Sequence, residues 1–206
     1  MPALTTEQIH QRLTGTFGEA IGPITPPKKG DPFFTIAPGK LLEVARLLKS
    51  DPELSFDFLQ DLTATDHPKD GVIKVVYHFY SYQHRHLLAA KVHADRKNPE
   101  LDSLEPVWKA ANWMEREVYD LFGVTFRGHP DLRRVLLPDD WVGHPLRKDY
   151  TEAGGYHEIS NVRDNPLDLY LNLDRMVKAQ QPPPPAPQPA AAAAAAKPAA
   201  EPPKGA

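Results

Sequence analysis

Two histidines, His129 and His144, lie in a repeated motif and are candidates for metal binding. The stretch from Gly128 to Tyr150 reads GHPDLRRVLLPDDWVGHPLRKDY, in which Gly-His-Pro is followed twice by Leu-Arg and a second basic residue. Imidazole nitrogens bind zinc and exchange protons near neutral pH. Neither histidine has the i, i+4 or His-x-His spacing that presents two rings to one ion, and each precedes a proline in a loop. The pattern therefore favours rings that cap or pack in turns.

Glu115 and Glu117 form a second candidate, a pair of carboxylates that could act as general acid and base. Successive helix residues are rotated by about 100°, so these two side chains point about 200° apart and cannot converge on one substrate. The same stretch places Trp113, Arg116 and Asp120 on the expected solvent face, with an i, i+4 ion pair between the last two. This face is either an ordinary solvated surface or a contact surface, because interfaces favour buried tryptophan and arginine.

The third feature is a ribbon of balanced charge on irregular backbone. Its basic and acidic residues give a net charge of +1 and are Arg127, Arg133, Arg134, Arg147 and Lys148 against Asp131, Asp139, Asp140 and Asp149. A strip that binds nucleic acid is purely basic with interleaved aromatic residues, whereas this one balances its own charge. Apolar residues such as Leu132, Val135 and Trp141 interrupt the charges. The ribbon therefore fits a segment laid against another protein, where ion pairs set the register.

Composition excludes several classes of function. The chain has no cysteine, which removes disulfides, thiolate nucleophiles and iron–sulfur ligation. It contains no Gly-x-Ser-x-Gly and no phosphate-binding glycine loop, and its net charge of -3 gives no positive field for nucleic acid. The N-terminal sequence lacks the pattern of a secretory signal, and no run approaches the roughly 18 apolar residues of a membrane span. We expect a cytosolic chain or one held at a membrane by a partner.

The elements that position these residues predict an α+β fold, with helices on one face of a small mixed or antiparallel sheet. In the stretch from Val72 to Tyr82, alternation places Ile73, Val75, Tyr77 and Phe79 on one buried face. The expected helices are Thr6 to Leu13, Pro38 to Lys49 and Leu104 to Phe122, the last capped by Asp102 or Ser103 and ended by Gly123. The expected strands are Phe33 to Ile36, Phe56 to Thr65, Val72 to Tyr82 and His86 to Ala94, with a brief return to the sheet at Val124 to Arg127.

The chain divides by composition into three regions. Residues 1–127 are predicted to form the α+β core domain, and residues 128–180 an extended interface segment with a short helix between Tyr156 and Met176. Residues 181–206 contain nine of the 23 prolines together with an alanine run. Such a composition cannot bury a core, so a disordered Pro/Ala-rich tail is expected.

Four motifs together resemble a known family. They are Glu115-Arg-Glu-Val-Tyr-Asp-Leu-Phe-Gly-Val124, Gly128-His-Pro-Asp-Leu-Arg-Arg134, Leu137-Pro138 and Gly143-His-Pro-Leu-Arg-Lys-Asp-Tyr150. The pattern resembles the thirty-kilodalton subunit of respiratory complex I, the proton-pumping NADH-quinone oxidoreductase, with the most specific match across Trp108 to Tyr150. The resemblance implies a non-catalytic scaffold subunit of the peripheral arm that packs on the large quinone-pocket subunit.

The resemblance also implies that this chain binds no cofactor or metal and carries no catalytic residue, with FMN and Fe-S clusters in partner subunits. It implies a peripheral location on the cytoplasmic side of the cell membrane, reached through partners only. The residues expected at the interface are Trp113, Glu115, Arg116, Glu117, Asp120, His129, Arg133, Arg134, His144, Arg147, Lys148 and Asp149. The alternatives are the related module of membrane-bound hydrogenases, a metal-dependent hydrolase using His129 and His144, and an RNA-binding module using the arginine pairs.

Overall fold

The computed structural model describes residues 3–26, 30–160 and Leu173. Along the described chain the helices and strands are α1 (Thr6–Phe17), β1 (Phe33–Ile36), α2 (Leu41–Ser50), β2 (Phe58–His67), β3 (Val72–Ser81), β4 (His86–Asp95), β5 (Glu100–Asp102), α3 (Ala111–Phe122), β6 (Thr125–Arg127), β7 (Gly155–Tyr156) and β8 (Ile159–Ser160). The chain divides into two units, Met1–Glu152 and Ala153–Ala206. The predicted tail at residues 181–206 lies outside the described residues.

The main sheet has four strands in the order β1-β4-β3-β2. The two long hairpins, β2–β3 and β3–β4, are antiparallel, while β1 lies parallel to β4 with Phe33 opposite Ala89. The turn that joins β2 to β3 ends at Gly71, whose φ of +68° suits a residue without a side chain. The predicted mixed sheet is confirmed.

One face of this sheet carries the core. The predicted inward residues of β3, namely Ile73, Val75, Tyr77 and Phe79, are at most 1% exposed. They form one cluster with the buried faces of all three helices, including Leu13 from α1. Leu48 in α2 and Val118 in α3 complete the apolar layer, so the α+β class predicted from the sequence is confirmed.

Helix α3 is shorter than the sequence pattern predicts, because it begins at Ala111 and not at Leu104. Leu104 to Ala110 form turns, in which the N–H groups of Val107 and Trp108 both donate to the Leu104 carbonyl. The indole N–H of Trp108 donates to the Phe56 carbonyl at 3.0 Å. This anchor and the Glu115 carboxylate, which binds the Leu104 N–H, hold the turns away from the helix axis.

Other element boundaries also differ from the sequence predictions. Helix α1 continues to Phe17, four residues past its predicted end, and Thr5 forms a capping box with Gln8 at its start. Strand β6 pairs in parallel with β5 in a separate two-stranded sheet, so its predicted return to the main sheet is wrong. Tyr156 lies in the β7–β8 hairpin, whereas most of the helix predicted between Tyr156 and Met176 falls outside the described residues. No helix among the described residues is long and apolar enough to cross a membrane.

Candidate functional site

The candidate site is the docking segment, residues 128–150, together with helix α3 on which it lies. In this segment the chain follows no regular helix or strand and turns repeatedly. Helix α3 ends at Gly123, which adopts the predicted left-handed conformation at φ +77°. Backbone groups of irregular chain need partners outside it when they are buried. Side chains of α3 and of the main sheet supply many of those partners.

Asp120 is the central anchor of the docking segment. Its side chain has no exposed surface, and both carboxylate oxygens accept hydrogen bonds from the segment. Oδ1 accepts from Arg134 Nη1 at 2.7 Å, and Oδ2 accepts from the three consecutive N–H groups of residues 135–137 at 3.1, 2.8 and 2.9 Å. Burial by itself raises the pKa of Asp120, but these donors outweigh it and hold the pKa below its ordinary value. The ionised carboxylate therefore fixes the turn at residues 135–137.

Two arginines bind backbone carbonyls within the same region. Arg134 donates from Nη2 to the carbonyls of Trp141 and Gly143 at 2.9 and 3.1 Å, so it joins Asp120 to the second half of the segment. Arg116 donates to the carbonyls of residues 133 and 134 at 3.2 and 3.1 Å and is only 4% exposed. The predicted solvent face is therefore wrong for Arg116 and Asp120. Each of them binds the docking segment, so the predicted i, i+4 ion pair is replaced by contacts across the fold.

The two repeated histidines bind opposite ends of α3. His129 Nε2 lies 3.1 Å from the Asn112 carbonyl, while its Nδ1 accepts the Asp131 N–H at 3.0 Å. His144 Nδ1 lies 2.9 Å from the Asp120 carbonyl, one of the C-terminal carbonyls that a helix leaves without an internal partner. These contacts agree with rings that cap and pack in turns. The described residues contain no group of three or more histidine or acidic side chains placed to hold a metal ion.

The end of the docking segment is fixed to the sheet by a second buried carboxylate. Asp66 in β2 accepts two hydrogen bonds from the Arg96 guanidinium, at 2.7 and 2.9 Å, and one from the Lys148 backbone N–H at 2.7 Å. The Arg96 contact is the main reason that the pKa of Asp66 lies below its ordinary value. Arg96 also pairs with Asp149 at 2.8 Å, and Arg147 donates to the Arg96 carbonyl. Asp66 and Arg96 could not be identified from the sequence, because neither stands in a recognisable motif.

Glu115 and Glu117 diverge as predicted, since Glu115 is fully buried and Glu117 is exposed. Glu115 accepts hydrogen bonds from Ser103 Oγ and the Leu104 N–H, both at 2.6 Å. Burial raises the pKa of Glu115 to about 7, against the opposing effect of these two donors. Glu115 therefore connects α3 to the preceding turns and lies in the protein interior.

The outer surface of the site is apolar at several points. Trp113 is 63% exposed and stacks on the Arg116 guanidinium, with 4.6 Å from the guanidinium carbon to the ring centroid. Leu136, Val142 and Leu146 are 62%, 85% and 49% exposed. These four residues are half of the large exposed apolar side chains among the described residues. The exposed charges around them include Arg133, which pairs with Asp131 at 2.9 Å, and the side chains of Lys148 and Asp149.

Comparison with known proteins relates residues 34–156 to a family described as "Respiratory-chain NADH dehydrogenase, 30 Kd subunit". Among similar proteins, the C subunit of the NADH-quinone oxidoreductase of Moorella thermoacetica is 48% identical over 126 residues, which cover 60% of this chain and 84% of the relative. The C subunit of the same enzyme from Chlorobium phaeobacteroides is 36% identical over 162 residues, which cover 75% of this chain and 97% of the relative.

Two solved structures are also similar. A trypsin-resistant fragment of Nqo5 superposes with a TM-score of 0.52 at 28% identity, covering 60% of this chain and 98% of the fragment. A chain of an archaeal respiratory membrane complex, the membrane-bound sulfane sulfur reductase, gives a TM-score of 0.59 at 24% identity, covering 70% of this chain and 85% of that chain. At that identity the second likeness concerns the fold alone.

Proposed function

This chain belongs to the family of the 30 kDa subunit of respiratory-chain NADH dehydrogenase, and from that premise we propose that it is a non-catalytic scaffold subunit of the peripheral arm. In this proposal the complex is a proton-pumping NADH-quinone oxidoreductase, and its large quinone-pocket subunit is the chief partner. The docking segment and the exposed face of α3 form the surface that holds this partner. FMN and the Fe-S clusters lie in other subunits, and the absence of cysteine in this chain agrees with that placement of the clusters.

The observation that carries the proposal is the contrast between the two sides of the docking segment. Its inner side is fixed by Asp120 and Asp66, two carboxylates without exposed surface. Its outer side presents Leu136, Val142 and Leu146 to solvent. Irregular chain that serves only to connect elements has no need of buried ion pairs, and exposed apolar patches mark binding sites in soluble proteins. A rigid segment with apolar residues outward is a preorganised contact surface.

The twelve residues predicted for the interface divide into two roles in this proposal. Trp113, Arg133 and Lys148 have exposed side chains and contact the partner directly, together with Glu117 and Asp149. Glu115 holds the turns before α3, and the others fix the docking segment from its inner side, namely Arg116, Asp120, His129, Arg134, His144 and Arg147. Trp113 is the expected centre of the contact because it is a large aromatic residue held in place by a buried guanidinium.

The test is the double substitution Leu136→Asp and Val142→Asp in the complete complex. Both side chains point outward, and the N–H of residue 136 that binds Asp120 is retained, so the isolated chain should keep its melting temperature. Charges in a desolvated contact weaken it strongly, and we expect the variant to co-purify with the large subunit at least about tenfold less than wild type. Quantitative mass spectrometry of the purified complex measures this ratio.

A matched control uses Phe58→Asp and Tyr82→Asp, two residues outside the docking segment that are 37% and 63% exposed. This control should co-purify normally. Normal recovery of the docking-segment variant would overturn the proposed surface, and equal loss in both variants would show that any exposed apolar residue matters. A charge-reversal variant of the same surface should use Arg133 and not Arg147. Arg147 also donates to the Arg96 carbonyl inside the fold, so its replacement would disturb the chain itself.

The peripheral, cytoplasmic-side location belongs to the same proposal, with membrane association through partners. The two NADH-quinone oxidoreductase relatives share 48% and 36% of their aligned residues with this chain, which favours this proposal over the hydrogenase-related alternative. The hydrolase alternative requires free imidazole nitrogens, and both nitrogens of His129 lie at hydrogen-bond distance from backbone atoms. These contacts favour the scaffold over the hydrolase.

A further inference from the structure

A cluster of basic side chains lies on the outer face of the main sheet, opposite the face that packs on the three helices. This basic cluster consists of Lys74 on β3 together with Lys91 and His93 on β4. The strand register places Lys74 directly opposite His93, while Lys91 lies two residues before His93 on the same strand and face. Opposite side chains on one face of a sheet are about 5 Å apart at Cβ, so the three groups are close neighbours.

Lys91 lies among uncharged and basic neighbours. The four residues nearest to it on the same face are set by the register of β1, β3 and β4, and they are Thr35, Val76, Ala89 and His93. None of them carries a carboxylate. Within the part of the chain that the structure describes, the Lys91 side chain forms no salt bridge and no hydrogen bond, and its printed contact is with an aromatic ring.

The surroundings of the Lys91 ammonium hold it in place without neutralising it. Its nitrogen lies 3.4 Å from the centroid of the Phe33 ring, which is a cation–π contact. Partial burial lowers the pKa of Lys91, and the charge of Lys74 lowers it further. The charged form of Lys91 is therefore disfavoured by its surroundings in the isolated chain, and a carboxylate from outside would relieve this cost.

The acidic residues closest to the basic cluster are bound to other groups. Asp70, in the turn after β2, pairs with Lys74 at 3.1 Å. Asp95, at the end of β4, accepts the N–H of residue 97 at 3.0 Å. Neither forms a salt bridge with Lys91 in the described structure. The missing countercharge has to come from another molecule.

We propose that the basic cluster is a second contact surface, in which Lys91 binds a carboxylate on an acidic surface of another subunit of the complex. This contact rests on the proposed function, because its partner belongs to that complex. Val76 and Ala89 flank Lys91 and would keep water from the ion pair once the partner is in place. Such a desolvated pair sets the register of an interface.

The small number of cations favours a protein over the other anionic partners. Binding to anionic lipid uses clusters of about four to eight lysines and arginines, whereas this cluster has two lysines and one histidine. A nucleic-acid surface combines a basic strip with aromatic rings that are free to stack on bases. Here the Phe33 ring is covered by the Lys91 ammonium.

Cross-linking of the purified complex with a carbodiimide tests the contact directly. This reagent takes up the elements of water as an amine and a touching carboxylate condense to an amide. We expect mass spectrometry to find Lys91 joined to an aspartate or glutamate of another subunit, and to find no Lys91 link in the isolated chain. The Lys109–Glu105 pair, at 2.7 Å, should link in both samples and is the internal control.

Acetylation of lysines gives a second reading from the same samples. Lys91 should react at least about tenfold more slowly in the complex than in the isolated chain, because a desolvated ion pair shields its amine. Lys109, whose side chain is 82% exposed, is the reference for unshielded lysine. Lys91→Met keeps an apolar stem on Phe33 and removes the amine, so it should abolish the Lys91 link and retain the Lys109–Glu105 link.

The possible failures are distinguishable. A chain that co-purifies with the complex but whose Lys91 forms no link and is acetylated at the isolated-chain rate would overturn the second contact surface alone. Absence of the chain from the purified complex would overturn the proposed function together with it. Protection of Lys91 that nuclease treatment or delipidation removes, without a link to protein, would identify nucleic acid or lipid and would also overturn the acidic subunit surface.

Discussion

Replacement of Asp120 by asparagine should release the docking segment at its centre. The Asp120 carboxylate acts only as an acceptor. It accepts one hydrogen bond from Arg134 and three from the N–H groups of residues 135–137. An asparagine side chain has one oxygen and one NH₂ group. In either orientation of the amide, the NH₂ group would face the Arg134 guanidinium or the N–H groups of residues 135–137. The substitution therefore breaks the ion pair and also places donor against donor.

The structure also bounds the size of this effect. Removal of one member of a buried ion pair costs about 3 to 5 kcal/mol, because the remaining charge stays buried without its partner. Arg134 keeps 16% side-chain exposure and its bonds to the carbonyls of Trp141 and Gly143. These compensations favour the lower end, so we expect Asp120→Asn to reduce the free energy of unfolding by about 3 kcal/mol.

Urea unfolding followed by circular dichroism measures this loss, and for a domain of this size it corresponds to a fall in Tm of roughly 6 to 12 °C. Amide hydrogen exchange reports the segment itself, and protection at residues 135–137 should fall before that of the sheet. The control is Asp131→Asn, the same chemical change at an exposed carboxylate of the same segment, which should leave the unfolding midpoint unchanged. Equal stability of Asp120→Asn and wild type, or equal losses in the two variants, would contradict the anchoring role of Asp120.

Two further predictions concern the end of α3 and the acid limit of stability. Gly123→Ala should lower the free energy of unfolding by about 2 to 3 kcal/mol in thermal melts, because Gly123 has a φ of +77° and an added Cβ would lie 2.6 Å from His144 Cδ2. Gly128→Ala, with a φ of +78° and no atom within 4 Å of its added Cβ, should lose only about 1 kcal/mol, and equal losses would argue against the His144 contact. The depressed pKa of Asp66 contributes stability that is present above the ordinary carboxyl pKa and lost as pH falls through the folded value. Asp66→Asn should therefore flatten the acid limb of the stability profile, and an unflattened limb would count against the Asp66 anchor.

The sheet and its core could be predicted because their signal is periodic. Alternation in β3 places Tyr77 and Phe79 inward whatever the neighbouring elements do, since the side-chain period of a strand is two residues. The glycine at position 123 likewise marks a helix end through a local conformational preference. The start of α3 depends instead on Trp108 reaching Phe56 across the fold, and such a distant contact leaves no local pattern.

The site was only partly predictable for a related reason. The sequence identifies the charged residues of the docking segment but not their partners, because Asp66 and Arg96 lie about fifty or more residues earlier than Lys148 and Asp149 in the chain. Helical spacing alone assigned Arg116 and Asp120 to solvent. That assignment assumed an uncovered helix face, whereas the segment that follows the helix covers it. Whether the exposed residues contact a partner stays a prediction that the co-purification experiment addresses.

The order of contacts along the chain has a consequence for synthesis on the ribosome. Arg116 and Asp120 leave the ribosome before residues 133–137, which supply their partners. Until that later stretch emerges, Arg116 and Asp120 of a newly made α3 lack the hydrogen-bond partners that they have in the finished fold. A chain that ends near residue 130 would therefore contain every strand of the main sheet and all of α3, but none of the groups at residues 133–137 that bind Arg116 and Asp120.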